Sequence, residues 1–180
     1  RFGSKTNIQL PGEAKGILIN PEKWSQIQAA NISFGQGMSV TSLQLAKALS
    51  IIANGGVNVE PYLIKSITNS KGEVIFKKEL NPGRRVISYT TSKKMRKLLK
   101  SVVEDGGGFK AQIEGVSVSG KTGTGQVATK GGYSKERFIV SFIGFAPSDS
   151  PQLVSVITID YPKGERAYGC LLYTSDAADD

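Results

Sequence analysis

The residues with the clearest chemical potential lie in one run, Gly115-Val116-Ser117-Val118-Ser119-Gly120-Lys121-Thr122-Gly123-Thr124-Gly125. A cation, two hydroxyls after it and glycines on both sides are suited to holding an anion. One reading is a phosphate loop. Gly115, four residues, then Gly120-Lys121-Thr122 match the G-x4-G-K-[ST] pattern letter for letter, and Asp160 at the end of an apolar run could play the magnesium-holding partner. A phosphate loop must pass at once into a helix whose N-terminal amides face the anion. Thr122-Gly123-Thr124-Gly125 strongly disfavours a helix start, and Val116 to Ser119 alternates with period two, as a strand does. The parallel setting of alternating strands and helices is also missing.

Other chemistries are excluded by composition. The chain has no histidine, which removes Ser-His-Asp hydrolases, His-ligated zinc and His-ligated haem. A lone cysteine, Cys170, excludes a disulfide framework and a multi-Cys metal site. Metal ions and organic cofactors are not expected. With 180 residues, 39% hydrophobic and 21% charged, the chain has the length and composition of one globular domain. No stretch reaches the roughly 20 apolar residues of a membrane span. The net charge of +8 leaves nucleic acid, acidic cell-surface polymers and anionic substrates open as partners.

The elements that must position the Lys121 run can be read from caps and periodicity. Asn20-Pro21 predicts a short helix to about Ala29. Thr41 caps a stronger one, with Leu43, Ala46, Leu49 and Ile52 at helical spacing and Asn54-Gly55-Gly56 as its stop. A hairpin is predicted around Asn69-Ser70-Lys71-Gly72. A long helix is predicted from about Thr90 to Glu104, its apolar face formed by Met95, Leu98, Leu99, Val102 and Val103. Lys93, Lys94, Arg96, Lys97 and Lys100 then form a solvated face. No aromatic platform accompanies them, so nucleic acid is not expected as a partner. Strands are predicted over Val116–Ser119, Phe138–Phe145 and Leu153–Tyr161, with Pro147 to Pro151 as a tight turn. Helices first and strands last, with short links, predict an α+β fold: an antiparallel β-sheet flanked by helices.

The Gly120-Lys121-Thr122-Gly123 run also resembles the Lys-Thr-Gly box of penicillin-binding proteins and β-lactamases. The context strengthens this. Phe34-Gly-Gln-Gly37, Val40-Thr-Ser-Leu-Gln-Leu-Ala46, Ala53-Asn-Gly-Gly56, Gly120-Lys-Thr-Gly-Thr124, Ser141-Phe-Ile-Gly-Phe-Ala-Pro147 and Tyr161-Pro-Lys163 occur in this order, and Leu10-Pro-Gly-Glu13 fits too. Residues 1–169 thus resemble the C-terminal half of the transpeptidase domain of a class B, monofunctional penicillin-binding protein. The family's Ser-x-x-Lys and Ser-x-Asn boxes occur nowhere in the chain, and Gly108 stands where the family often has Thr. Arg1-Phe2-Gly3-Ser4 does not look like a translation start, and residues 170–180 look like a translated sequencing adapter. The expectation is therefore a partial transpeptidase domain over 1–169 with a non-native tail over 170–180.

The resemblance implies a serine D,D-transpeptidase of peptidoglycan synthesis, inactive without the upstream serine. It implies an edge strand on which a stem peptide ending in D-Ala-D-Ala, or a β-lactam, lies as an added strand. Gly123 would permit that close approach. Lys121 would assist electrostatically and bind the terminal carboxylate, Thr122 and Thr124 would hydrogen-bond it, and the Thr124 N–H would serve the oxyanion hole. Tyr168 would wall the cleft. The family's five-stranded sheet would leave Leu153–Tyr161 exposed in this fragment. Partners would be the cell-wall synthesis machinery, and the location the extracytoplasmic face of the bacterial cytoplasmic membrane, anchored by an N-terminal segment. A non-catalytic, β-lactam-sensing or structural relative is the alternative.

Overall fold

Helix α2, Ser42–Ala53, begins with a reciprocal cap: Gln44 N donates to Thr41 Oγ1 at 3.2 Å and Thr41 N donates to Gln44 Oε1 at 3.0 Å. It ends at Asn54, after which Gly55 and Gly56 take positive φ values of 64° and 90°. At Gly56 a Cβ would stand 2.2 Å from the Ile87 carbonyl oxygen, so only glycine allows this chain crossing. The computed structural model describes residues 2–81, 83–129 and 132–163.

The predicted first helix divides in two. Asn20 caps only a 3-10 turn, Pro21–Lys23, and Trp24 is extended. Ser25 then caps a new helix, α1, over Gln26–Ser33 by accepting from Gln28 N at 3.2 Å. Two caps five residues apart divide one apparent helix.

The long helix α3, Tyr89–Glu104, buries Ser92, Leu99 and Val103, one stripe at spacings of seven and four. Leu98 was expected in that stripe but is 61% exposed. One residue of helix turns a side chain by about 100°, and Leu99 takes the inward position instead. Between α2 and α3, the hairpin of β1 (Ser66–Thr68) and β2 (Val74–Lys77) forms where predicted, with Ile67 opposite Phe76. Asn69 Oδ1 accepts from Lys71 N and Glu73 N, which closes its turn.

The second half is a three-stranded antiparallel sheet, β3 (Ser119–Thr129), β4 (Gly132–Ala146) and β5 (Leu153–Asp160), in that spatial order. Gly120 faces Gly144, Thr122 faces Phe142, and Phe142 also faces Ile157. The expected strand at Val116–Ser119 is corrected: β3 starts only at Ser119. Val116 makes a single bridge to Ile113, and the Ser117 carbonyl accepts from Ser148 N, so its bonding goes to a turn and not to a ladder.

The core joins these parts. Leu49 of α2, Leu99 of α3 and Phe145 of β4 are buried together, with Ile52, Ile143 and Val154 against them. A second cluster links Val103 of α3 and Ala111 of a 3-10 turn, Phe109–Ala111, to Phe142 of β4, with Val118 beside it. Ser92 Oγ donates to the Ile52 carbonyl at 2.7 Å and ties the two helices. The architecture is the expected α+β arrangement, helices against an antiparallel sheet.

Candidate functional site

The Lys121 run is extended over its whole length beyond Ser119. Thr122, Gly123, Thr124 and Gly125 pair with Phe142, Ser141, Val140 and Ile139, and β3 continues to Thr129. No helix follows the lysine. The amides of this run are ladder groups, alternating between β4 and the open side, and cannot curl round a phosphate. The phosphate-loop reading is thereby overturned.

Among the described residues β3 has a single neighbouring strand, β4. Two supports fix where β3 starts. Ser119 is fully buried, and its Oγ donates to Ser148 Oγ at 2.7 Å, with the Arg96 carbonyl oxygen of α3 at 3.4 Å. Arg96 Nη1 in turn donates to the Asp149 carbonyl at 3.2 Å, so α3, the head of β3 and the β4–β5 turn form one framework. Sequence reasoning missed Ser119 and Ser148, because an isolated serine before a glycine carries no sign of where it will be buried.

Lys121 itself is exposed. Its Nζ donates to the Thr122 carbonyl at 3.0 Å and lies 3.5 Å from Thr122 Oγ1. The only ion pair among the described residues is Lys100–Glu104, so none of their carboxylates pairs with Lys121. An ammonium beside a hydroxyl has the chemistry to hold an anionic group. Thr124 is exposed, while Thr122 and Gly123 are half-buried. The structure therefore brings Lys121, Thr122, Gly123 and Thr124 together on one strand. Tyr168 lies outside the described residues, as does the 170–180 tail.

The glycines of this strand have different reasons. A Cβ on Gly120 would come within 2.2 Å of the Phe142 ring, so that glycine serves packing. A Cβ on Gly123 would meet only the Ser141 hydroxyl, at 2.7 Å. Its lack of a side chain keeps the strand surface low for an incoming backbone. At the far end of the β3–β4 hairpin, the Tyr133 hydroxyl accepts from Gly37 N at 3.2 Å and links it to the turn after α1. Glu136 and Arg137 stay exposed, Arg137 over the Tyr161 ring at 5.8 Å.

No group of three or more potential metal ligands occurs among the described residues, and no helix among them is long and apolar enough to cross a membrane.

Comparison with known proteins places this strand in a family. The chain is 44% identical over 169 residues to stage V sporulation protein D of Bacillus subtilis, covering 93% of this chain and 26% of the relative. It is 33% identical over 171 residues to peptidoglycan D,D-transpeptidase FtsI of Buchnera aphidicola, covering 93% of this chain and 28% of the relative. The structure superposes with a TM-score of 0.86 on penicillin-binding protein 3 of Mycobacterium tuberculosis complexed with ampicillin, at 32% identity, covering 98% of this chain and 42% of that one. The chain thus spans well under half the length of these relatives. The family model for the penicillin binding protein transpeptidase domain matches residues 1–174. The chain therefore belongs to the penicillin-binding protein transpeptidase family.

Proposed function

We propose that this chain is the β3-bearing part of a peptidoglycan D,D-transpeptidase, and that β3 receives the acyl donor. The observation that carries this is a β3 whose single strand neighbour among the described residues is β4, with Lys121 Nζ against Thr122 and in no ion pair among those residues. A stem peptide ending in D-Ala-D-Ala lies along β3 as a further strand, its terminal carboxylate held by Lys121 and by the hydroxyls of Thr122 and Thr124. A β-lactam takes the same place, since its carboxylate and amide present the same groups. Gly123 leaves room for the donor backbone.

The chemistry needs a serine from a Ser-x-x-Lys segment that the chain does not contain. That serine oxygen bonds to the penultimate D-Ala carbonyl carbon, the peptide bond breaks, and the terminal D-Ala leaves as an amine with the serine proton. An amine of a neighbouring stem peptide then takes the acyl group and returns a proton to the serine. Dividing the transfer into two steps lowers each barrier. The oxyanion of each tetrahedral intermediate is held by the Thr124 N–H and the serine's own N–H. Loss of one such donor costs about 2.7–4 kcal/mol. Lys121 supplies the positive field that favours both the carboxylate and the serine oxygen. The whole protein works at the extracytoplasmic face of the membrane, together with cell-wall synthesis machinery, and is anchored by an N-terminal segment.

The test joins this chain to the N-terminal half of the transpeptidase domain of the Bacillus subtilis relative and measures labelling by a fluorescent penicillin. Labelling is expected, and Lys121→Ala should slow it by roughly a hundredfold. Labelling that is indifferent to Lys121 and Thr124 would overturn the role of this strand. Full labelling without cross-linking of stem peptides would make the whole protein a β-lactam sensor.

A further inference from the structure

A separate cavity of about 450 Å³ lies between the N-terminal segment, α2 and the stretch leading into α3. None of its lining residues belongs to the three-stranded sheet. Four cations line it: Lys5, Lys47, Arg84 and Arg85. No aspartate or glutamate does, and none of the four is in an ion pair among the described residues. The nearby acid, Glu13, exerts a field on Lys5. Its own oxygens, however, are occupied by Thr6 N at 2.5 Å, Thr6 Oγ1 at 2.6 Å and Asn7 N at 3.1 Å.

The cations are held by structure and are not merely adjacent in sequence. Arg85 Nη1 donates to the Gly55 carbonyl at 2.7 Å and to the Ile87 carbonyl at 3.3 Å, which fixes its guanidinium on the border between this cavity and a second hollow beside Gly55 and Tyr89. Arg84 is anchored through its carbonyl, which accepts from Asn58 N at 2.9 Å. Lys47 is half-buried on α2, between turns that carry Leu43 and Ile51. Gln44 is buried, and its Nε2 donates to the Ser4 and Lys15 carbonyls at 2.8 and 2.9 Å, which holds the backbone just before Lys5 against the helix that bears Lys47. Four like charges around one space repel one another, and an anion of charge −2 relieves that repulsion. Arginine forks match the oxygens of a phosphate, and Ala48, Ile51 and Val86 offer an apolar wall for the group that carries it.

The geometry points to a binding site for an organic phosphate monoester or diester, apart from β3. Lys47, Arg84 and Arg85 grip the phosphate, and Lys5 closes the site from the N-terminal side. The ligand is soluble or the headgroup of a lipid; its phosphate chemistry is the same in both cases.

The test uses the joined protein described above, with far-UV circular dichroism recorded on every sample. Glycerol 3-phosphate is titrated by calorimetry and, in parallel, as protection from limited proteolysis, with glycerol and acetate as controls. Phosphatidylglycerol vesicles form a second arm, against phosphatidylcholine vesicles. Saturable binding to glycerol 3-phosphate, at least about tenfold tighter than to acetate and weakened by salt, is expected. Arg84→Glu, at an exposed position, should reduce it by more than about tenfold with the dichroism unchanged. Lys5→Ala, at a second exposed position, should reduce it less. Response only to phosphatidylglycerol vesicles would assign the phosphate to a lipid headgroup. Absence of saturation in both arms, or binding indifferent to Arg84→Glu and Lys5→Ala, overturns the proposal.

Discussion

The two outer strands of the three-stranded sheet share one central neighbour and differ in almost everything else. β3 carries Gly120, Lys121, Thr122, Gly123 and Thr124, whereas β5 carries Leu153, Val154, Val156, Ile157 and Ile159. Both have β4 as their single neighbouring strand among the described residues. On β3 the margin is low, polar and cationic, which suits one short peptide with a carboxylate. On β5, Leu153 is 73% exposed and Ile157 and Ile159 are exposed as well, so an apolar flank accompanies the outer backbone. Such an edge attracts any other strand. Both strands carry the same backbone groups, and their side chains make one margin polar and the other apolar.

Removing the support that both edges share should have the largest effect. Phe145 is 2% exposed and packs with Leu49 and Leu99, so Phe145→Ala should destabilise the chain by about 3–5 kcal/mol in denaturant unfolding. β3 and β5 should lose hydrogen-exchange protection together; if one edge loosens alone, the two do not depend on a common core.

The next test separates the glycines of β3. Gly120→Ala forces a Cβ against the Phe142 ring and should cost roughly 1–3 kcal/mol. Gly123→Ala meets only a movable hydroxyl and should shift stability by less than about 1 kcal/mol, while slowing penicillin labelling of the joined protein. Equal losses of stability at both positions would erase the distinction between a packing glycine and an approach glycine.

On the opposite edge, Ile157→Lys should lower the light scattering of concentrated solutions by several-fold without weakening folding, because a charge on an open edge opposes strand addition. Unchanged aggregation would show that β5 is not the sticky margin. The smallest effect lies away from both edges. The Glu13 carboxyl is held below its usual range, chiefly by the Thr6 hydroxyl. Its folded-state value is below its unfolded one, so its stabilising contribution is present above the unfolded carboxylate range and is lost as pH falls through the folded value. Glu13→Gln should flatten the acid limb of the stability profile slightly. It should leave both sheet edges unchanged, as followed by circular dichroism from neutral to acid pH.

Much of the molecule was legible in its residues. The Thr41 cap, the Asn54-Gly55-Gly56 stop and the hairpin at Asn69 rest on local bonds between near neighbours, and each formed as its local chemistry requires. The extended state of Thr122 to Gly125 was also fixed locally, since such a glycine-threonine run makes a poor helix start. The chain alone therefore determined most elements and the extended state of the Lys121 run, but not the division of the first helix at Trp24 or the late start of β3 at Ser119. It could not settle the inward turn of Leu99 over Leu98, the burial of Ser119 against Ser148 and Arg96, or the gathering of Lys5, Lys47, Arg84 and Arg85 round one cavity. Those depend on residues tens of positions apart, and their partners are chosen only when helices and strands pack together and each buried polar group must find a bond.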